Sequence, residues 1–325
     1  MLSGEYWPAH PHPLPGECLS SWLVRTAHAN GLKIQTFCVR VFGNQKQVWN
    51  RDIDRQAPDW ILEPMSAKTG THSKVANKTT LKLYEKRLFP AIKISGQLRW
   101  VLPLKMNHRV YKGFGMQYCP LCLEEDNEPY FRLSWRLAIF TFCPKHKTLL
   151  HDKCWHCSAP VAFHRIELGK PDVFDISGLN ECWACGESLT RAAALPVQVV
   201  NQTSFNMWNR VLGAIQRDFV NCGSMNYDRL ILLHQICKLL SSPRYSAKLT
   251  EYILVKSKIQ PRTFDYPDFF ESLGIEDRHC VLQMAWWLVG NSNKKVITAI
   301  SNKALLTHYL FRDLFAPNLL EWIRN

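Results

Sequence analysis

The chain has 325 residues, 46% of them hydrophobic and 12% aromatic, with 40 Lys or Arg against 27 Asp or Glu and a formal net charge of +13. That length suits two or three domains with substantial cores, and no apolar run approaches the ~20 residues of a bilayer-spanning helix, so a soluble protein is expected. The basic balance excludes little by itself but points towards a polyanionic partner.

The opening segment, residues 1–16, contains Pro8, Pro11, Pro13 and Pro15 and is expected to be an extended arm, because proline fixes φ and opposes helix. It has no basic stretch followed by an apolar one, so nothing suggests export, and a reducing cytosol is expected. From Cys18 to Asn30, Leu19, Trp22, Leu23 and Ala27 recur at helical spacing and Asn30-Gly31 is a stop signal. A second helix is predicted from Ile34 to Phe42, ending before Gly43, which makes a helix-turn-helix-like pair. Asp52 and Asp54 alternate with Arg51 and Arg55, and local salt bridges with a helix cap are the favoured reading. Pro58 opens a helix that turns Trp60, Ile61, Leu62 and Met65 inward. After Thr69-Gly70-Thr71, a basic helix is predicted over Ser73–Leu88, with Lys74, Lys78, Lys82 and Lys86 on one face. These elements make a second helix-turn-helix.

The positive charge is concentrated. Between Ser66 and Lys112 stand Lys68, Lys74, Lys78, Lys82, Lys86, Arg87, Lys93, Arg99, Lys105, Arg109 and Lys112, with Glu85 as the one acid. Glu124, Glu125, Asp126 and Glu128 then reverse the sign. Scattered lysines commonly form no more than a solvated face, but so one-sided a segment favours nucleic-acid contact, with Lys68, Lys74, Lys78, Lys82, Lys86, Arg87, Arg99 and Arg109 as candidate residues. Such a stripe suits phosphates and carries no base-reading code.

Four close ligand pairs follow: Cys119/Cys122, Cys143/His146, Cys154/Cys157 and Cys182/Cys185. Two residues between ligands let a tight turn aim both donors at one ion, and two pairs complete the tetrahedron that Zn²⁺ prefers. Sequential pairing gives one site of three cysteines and a histidine and a second site of four cysteines; interleaved pairing satisfies the same count. Disulfides would need an oxidising compartment, and a redox centre would need only one pair. Two structural zinc ions are therefore expected. Since protein supplies all four ligands of each, no position is left for water or substrate. His151 and His156 are nearby but less favoured ligands.

The insert SWRLAIFTFC has the character of a strand or short helix on the metal site, and VAFHRIELGKPDVFDIS contains runs that could pair as strands. Beyond Pro196, helices are predicted near 203–220, 226–241, 246–257, 278–290, 294–301 and 302–315. Trp286 and Trp287 are expected in the core, as are Cys18, Cys38, Cys222, Cys237 and Cys280. The fold class expected is mainly α: helix-turn-helix modules beside a central double zinc-finger, zinc-ribbon-like region with small β elements, then an all-helical C-terminal domain. The corresponding segments are 1–113, 114–195 and 196–325. There is no GxxxxGK[ST] phosphate loop, no HExxH motif and no deaminase HxE with PCxxC. Carboxylates are too scattered for a two-metal nuclease, so a binding protein is expected rather than an enzyme.

Several ordered motifs resemble those of the TniQ family, which includes the TnsD-type target selectors of bacterial transposons. They are Pro13-Leu14-Pro15-Gly16-Glu17, Ser21-Trp22-Leu23 with Arg25, Asn30-Gly31, Trp49-Asn50-Arg51-Asp52-Ile53-Asp54-Arg55 and Thr69-Gly70. Cys119-Pro120-Leu121-Cys122-Leu123, Trp135, Cys143-Pro144-Lys145-His146 and Leu149-Leu150 complete the set. The resemblance covers roughly residues 10–190. It implies a bacterial, cytoplasmic, non-catalytic role in choosing insertion sites, joining a target recogniser to an AAA+ ATPase regulator and, indirectly, the transposase. Some members of the family bind an attachment site in DNA directly. Others are delivered by a guide-RNA ribonucleoprotein, a CRISPR effector complex such as Cascade, on which they can dock as a homodimer. The compact length favours the RNA-guided adaptor. A DNA-binding regulator with two helix-turn-helix units is the competing class, and a zinc-dependent nucleic-acid enzyme is disfavoured.

Overall fold

The computed structural model describes residues 4–107, 110–171, 178–219, 227–257, 259, 269–290 and 292–312, without the side chains of 106–111. These residues are mainly helical with little strand, and the chain divides into two compact units. One comprises Met1–Glu85 with Phe89–Leu195, the other Lys86–Leu88 with Pro196–Asn325.

In the first unit, helix α1 spans Leu19–Ala29 and every residue from Leu19 to Ala27 is buried. It ends as expected, with Gly31 at φ 65° in the left-handed region that only glycine enters cheaply. Helix α2 spans Ile34–Phe42, the range predicted, and buries Ile34, Phe37 and Cys38. The proline-rich arm is extended but not free. Trp7 N–H donates to Lys68 O (3.0 Å), Ala9 exchanges two bonds with the Asn30 amide, and Trp22 Nε1 donates to Pro11 O (2.8 Å). Prolines lack the N–H that would continue a ladder, so the arm is held by the groups around it.

Helix α3, Ile53–Gln56, is capped by Asp52, which accepts from the Arg55 N–H (3.2 Å). Helix α4, Asp59–Thr69, starts after Pro58 and stops at Gly70, φ 66°. The long basic helix predicted next is not formed. Helix α5 covers only Ser73–Asn77, and a 3-10 turn follows at Leu81–Tyr84. Thr79 and Thr80 explain the break: their hydroxyls donate to the carbonyls of Ala76 (2.7 Å) and Asn77 (2.8 Å). Short polar side chains compete with the helical ladder in this way, and branching at Cβ lowers helix propensity further. Lys86 then sits at φ 60°.

A hairpin pairs β1, Met106–Asn107, with β2, Val110–Tyr111, in antiparallel register. Helix α6, Pro120–Glu125, opens with proline in its first turn, where the missing N–H costs nothing. The insert SWRLAIFTFC forms a 3-10 turn at Leu133–Arg136 and an isolated bridge between Phe142 and Leu149. A 3-10 turn at Phe163–Arg165 occupies the second insert, whose residues 172–177 lie outside those described. Trp7, Trp22, Trp49, Trp100 and Trp135 are all fully buried in this unit.

The core of the first unit also holds two ion-pair networks. Glu17 and Arg25 form a bidentate pair (2.8 and 2.9 Å), with Arg25 reaching Glu128 and His12 O as well. Arg136, fully buried, contacts Asp52 Oδ2 (2.6 Å) and Asp54 Oδ2 (3.1 Å). Asp54 also accepts from the backbone N–H and hydroxyl of Ser20 (2.8 and 2.9 Å). The helix cap expected of Asp52 is present, but the partner of both aspartates is Arg136 rather than Arg51 or Arg55. Arg55 instead donates to backbone carbonyls, including those of Gly96 and Ser95.

The second unit contains α7 (Gln202–Gln216), α8 (Tyr227–Leu240), α9 (Ser246–Ser257), α10 (Ile275–Val289), α11 (Lys294–Ser301) and α12 (Thr307–Leu310). Asn201 caps α7 by accepting from Ser204 N–H (2.9 Å). Trp286 is wholly buried and stacks with Trp208 at 6.3 Å, while Trp287 is nearly so. The helix predicted over 302–315 is shorter, because Lys303 turns at φ 55°, and 313–315 lie outside the described residues.

Candidate metal centre

Sequence neighbours pair sequentially. Cys119, Cys122, Cys143 and His146 form one cluster and Cys154, Cys157, Cys182 and Cys185 the other, with the donor atoms of each within 4.8 Å of one another. Among the described residues these are the clusters with metal-ligand character, and neither His151 nor His156 joins them. His151 bonds Ala193 O (2.9 Å) and stacks on Tyr118.

The geometry fits a tetrahedral ion. Zn–S bonds of about 2.3 Å and Zn–N bonds of about 2.0 Å require donor separations of roughly 3.5–3.8 Å. In the first cluster, His146 Nδ1 lies 3.3 Å from Cys119 Sγ, 3.4 Å from Cys122 Sγ and 3.6 Å from Cys143 Sγ, and the Cys122 and Cys143 sulfurs are 3.6 Å apart. In the second, Cys154 and Cys185 are 3.8 Å apart and Cys157 and Cys182 3.6 Å. His146 faces the cluster through Nδ1 and turns Nε2 to Glu125 Oε2 at 2.9 Å. A carboxylate behind a metal-binding imidazole fixes its tautomer and ring orientation. Lys145 also pairs with Glu125, whose carboxyl is held below its ordinary range by Lys145 and then His146. Glu125 lies three residues beyond Cys122 on α6, a relation that ligand counting alone does not single out.

Three of the four pairs share one local structure. At Cys143, Cys154 and Cys182 the fourth residue onward returns its N–H to the cysteine carbonyl: Lys147 (2.9 Å), Ser158 (3.0 Å) and Gly186 (2.9 Å). The cysteine N–H in turn donates to Thr148, Ala159 and Glu187 respectively, at 2.8, 2.9 and 2.8 Å. Antiparallel bridges Phe142 to Leu149, Lys153 to Pro160 and Glu181 to Ser188 close each loop. The returning residue is left-handed each time, with φ 56°, 60° and 76°. Only Gly186 advertises that turn in the sequence; Lys147 and Ser158 adopt it against their intrinsic preference. The fourth pair differs, because Cys119 and Cys122 stand at the start of α6.

Exposure separates the clusters. In the first, all three cysteines are buried; in the second, Cys157 and Cys185 are exposed. The remaining described cysteines behave as packing groups. Burial pushes the Cys38 thiol up to about 12 and those of Cys18 and Cys237 upward as well, while Cys280 is half-buried and Cys222 lies outside the described residues.

The basic candidates are dispersed. Lys74 and Lys78 are exposed in and just after α5, beside the exposed Asn77. Lys68 is half-buried at the end of α4 and donates to Gly4 O (2.6 Å). Lys82 is half-buried and donates to Ala57 O (3.3 Å). Lys86 and Arg87 belong to the second unit, where Arg87 donates to Asp218 O (2.6 Å). Arg99 is half-buried, and Arg109 lies outside the described residues. In the α1/α2 pair, the first turn of α2 is covered by buried Glu167, which accepts from Gln35 N–H (3.4 Å) and pairs with His28 (3.0 Å).

A Pro-rich arm and two buried ion-pair networks hold short helices beside a cysteine-rich module whose two ligand sets could each hold a metal ion. The TniQ family model matches residues 8–150, which span the arm, both ion-pair networks and the first metal cluster. Over that segment the chain is similar to the TniQ family, which is associated with non-catalytic target-site selection in transposition. No curated protein matches it. No helix among the described residues is long and apolar enough to cross a membrane.

Proposed function

We propose that this protein is a non-enzymatic adaptor that couples recognition of a transposon's target to the integration machinery, and that its two clusters hold structural zinc. The observation that carries the reading is the family match over residues 8–150. The soft sulfur-rich donor sets, with protein at all four corners, favour zinc in a closed structural role. On this reading the recogniser is an RNA-guided CRISPR effector in the bacterial cytoplasm, the next partner is an AAA+ ATPase regulator, and the adaptor works as a homodimer. Lys68, Lys74 and Lys78 supply nonspecific phosphate contact at α4 and α5.

The second reading is direct recognition of a DNA site. Its support is the pair of helices α4 and α5 joined at Gly70, with exposed Lys74 and Asn77 on the short second helix and exposed Lys78 just after it. The α1/α2 pair is less suited to that task, because Glu167 places a carboxylate where a phosphate would approach α2. Reconstitution separates the readings. An adaptor binds duplex DNA weakly and without a footprint, and forms a stable complex with the effector ribonucleoprotein and the ATPase. A discrete footprint by the purified protein alone would replace it with the second reading.

A further inference from the structure

The second metal cluster has an internal two-fold correspondence that reaches beyond its ligands. Trp155 follows Cys154 and Trp183 follows Cys182, and each indole clasps the opposite loop. Trp155 Nε1 donates to Ser188 O, six residues after Cys182, and Trp183 Nε1 donates to Pro160 O, six after Cys154, both at 2.9 Å. The two rings are therefore equivalent in anchorage but not in surroundings. Trp183 carries the Arg165 guanidinium over its ring at 4.7 Å. Trp155 is 42% exposed, and the ring contact it makes is an edge contact with neighbouring His156 at 5.5 Å.

We propose that the open face of Trp155 is a docking point for an arginine side chain of a partner protein. The equivalent place already has an occupant: Arg165 on Trp183 shows which chemistry this loop geometry accepts. An indole fixed by its N–H has little freedom left to lose when a cation settles on its face, and Trp is the strongest of the aromatic cation acceptors. Charge points the same way. Four thiolates around a divalent ion would leave a formal dianion, and two of the four cysteines, Cys157 and Cys185, are exposed. A guanidinium is attracted to that centre and can donate N–H groups to sulfur; a phosphate is repelled. The Trp155 surface lies outside the segment matched by the family model, and its role does not depend on the adaptor reading.

The test uses the full, zinc-loaded chain labelled with 5-fluorotryptophan, with the Trp155 and Trp183 resonances assigned from Trp155→Phe and Trp183→Phe. The probes are a blocked Gly-Gly-Arg-Gly-Gly peptide, its citrulline twin, which keeps the shape and loses the charge, and an eight-residue oligothymidylate. The Trp155 resonance should move with the arginine peptide at millimolar concentration, with affinity about fivefold higher than for the citrulline peptide, while Trp183 stays still. In Arg165→Gln, which uncovers the equivalent face, Trp183 should begin to respond. Equal response to both peptides, no response at Trp155, or tighter binding of the oligonucleotide there would overturn the proposal, the last by making the ring a base-stacking platform. A silent Trp183 in folded, zinc-loaded Arg165→Gln would overturn the equivalence on which it rests.

Discussion

Replacing Arg136 with methionine should be among the most damaging single changes outside the metal ligands. The guanidinium is wholly buried and makes hydrogen bonds to both aspartates and to the carbonyls of Gly115 (2.8 Å) and Leu102 (3.3 Å). Methionine keeps much of the volume but leaves Asp54, itself 2% exposed, without its countercharge. Breaking a buried pair from one side costs about 3–5 kcal/mol, because the remaining charge stays desolvated. Burial already raises the Asp54 carboxyl to about 6, against the opposing pull of Arg136. Its folded pKa is thus above the unfolded value, so its contribution to stability is fully present below about 4 and is lost as pH rises through 6. Without Arg136 that folded pKa climbs further, so the deficit of Arg136→Met should be largest at pH 8 and shrink towards pH 5.5. Urea unfolding of zinc-loaded protein, followed by far-UV circular dichroism and metal release together, measures it. Asp54→Asn in the same background should recover part of the loss. A deficit under about 1 kcal/mol at pH 8, or a double mutant additive within about 0.5 kcal/mol, would refute the assignment of this pair as a coupled buried lock.

Other consequences are quicker to check. Chelator challenge with a colorimetric zinc indicator should release two ions in two phases, the faster from the cluster with exposed Cys157 and Cys185; Cys157→Ser should remove the fast phase and leave the slow one. Lys147→Gly should raise thermal stability by about 0.5–1 kcal/mol, since glycine adopts the required φ of 56° without the side-chain penalty, although part of the gain is offset in the unfolded chain. His279 is held near 4 by burial and by Arg278; its folded pKa is depressed, so the second unit should lose up to about 3 kcal/mol as pH falls from 6.5 to 4, and His279→Gln should flatten that slope. If Lys68, Lys74 and Lys78 neutralise phosphates, changing all three to alanine should reduce the slope of log K against log salt for duplex DNA by about 2–3, as measured by fluorescence anisotropy.

The metal clusters were legible because ligand chemistry is local: two-residue spacing and a shortage of alternatives determine which side chains can meet. Helices α1, α2 and α4 were legible for a similar reason, since apolar periodicity and glycine stops both act within a few residues. The failure at Ser73–Leu88 has the opposite cause. Lysines at four-residue spacing obey the helical period, but the two threonines between them divert their carbonyl acceptors, and a charge pattern does not report that competition. Arg136 was invisible as the partner of Asp52 and Asp54 because it lies 84 and 82 residues away from them. Nearby Arg51 and Arg55 offered an adequate local explanation, and only tertiary packing rejects it. The repeated Cys-Trp pair was present in the sequence at 154–155 and 182–183, yet its meaning depends on which carbonyl each indole reaches.

These elements imply a division between what fixes the first unit and what it presents. Helices α1 and α4 have 11 residues each, and α2 has 9; helices this short are marginal without tertiary support. That support comes from aromatic packing, two buried ion networks and, on the proposed reading, two metal ions whose binding energy is also folding energy. Buried ions are weak stabilisers in net terms but place their elements stringently, because any shift leaves a charge unpaired. The exposed features are anchored by the same constraints. Trp155 is tied to the opposite metal loop, and α5 is held between the Gly70 turn and Thr79 and Thr80, which are buried. A partner meeting either feature encounters a preorganised group, so substitutions deep in the ion networks should weaken binding by loosening geometry, even where they remove no contact.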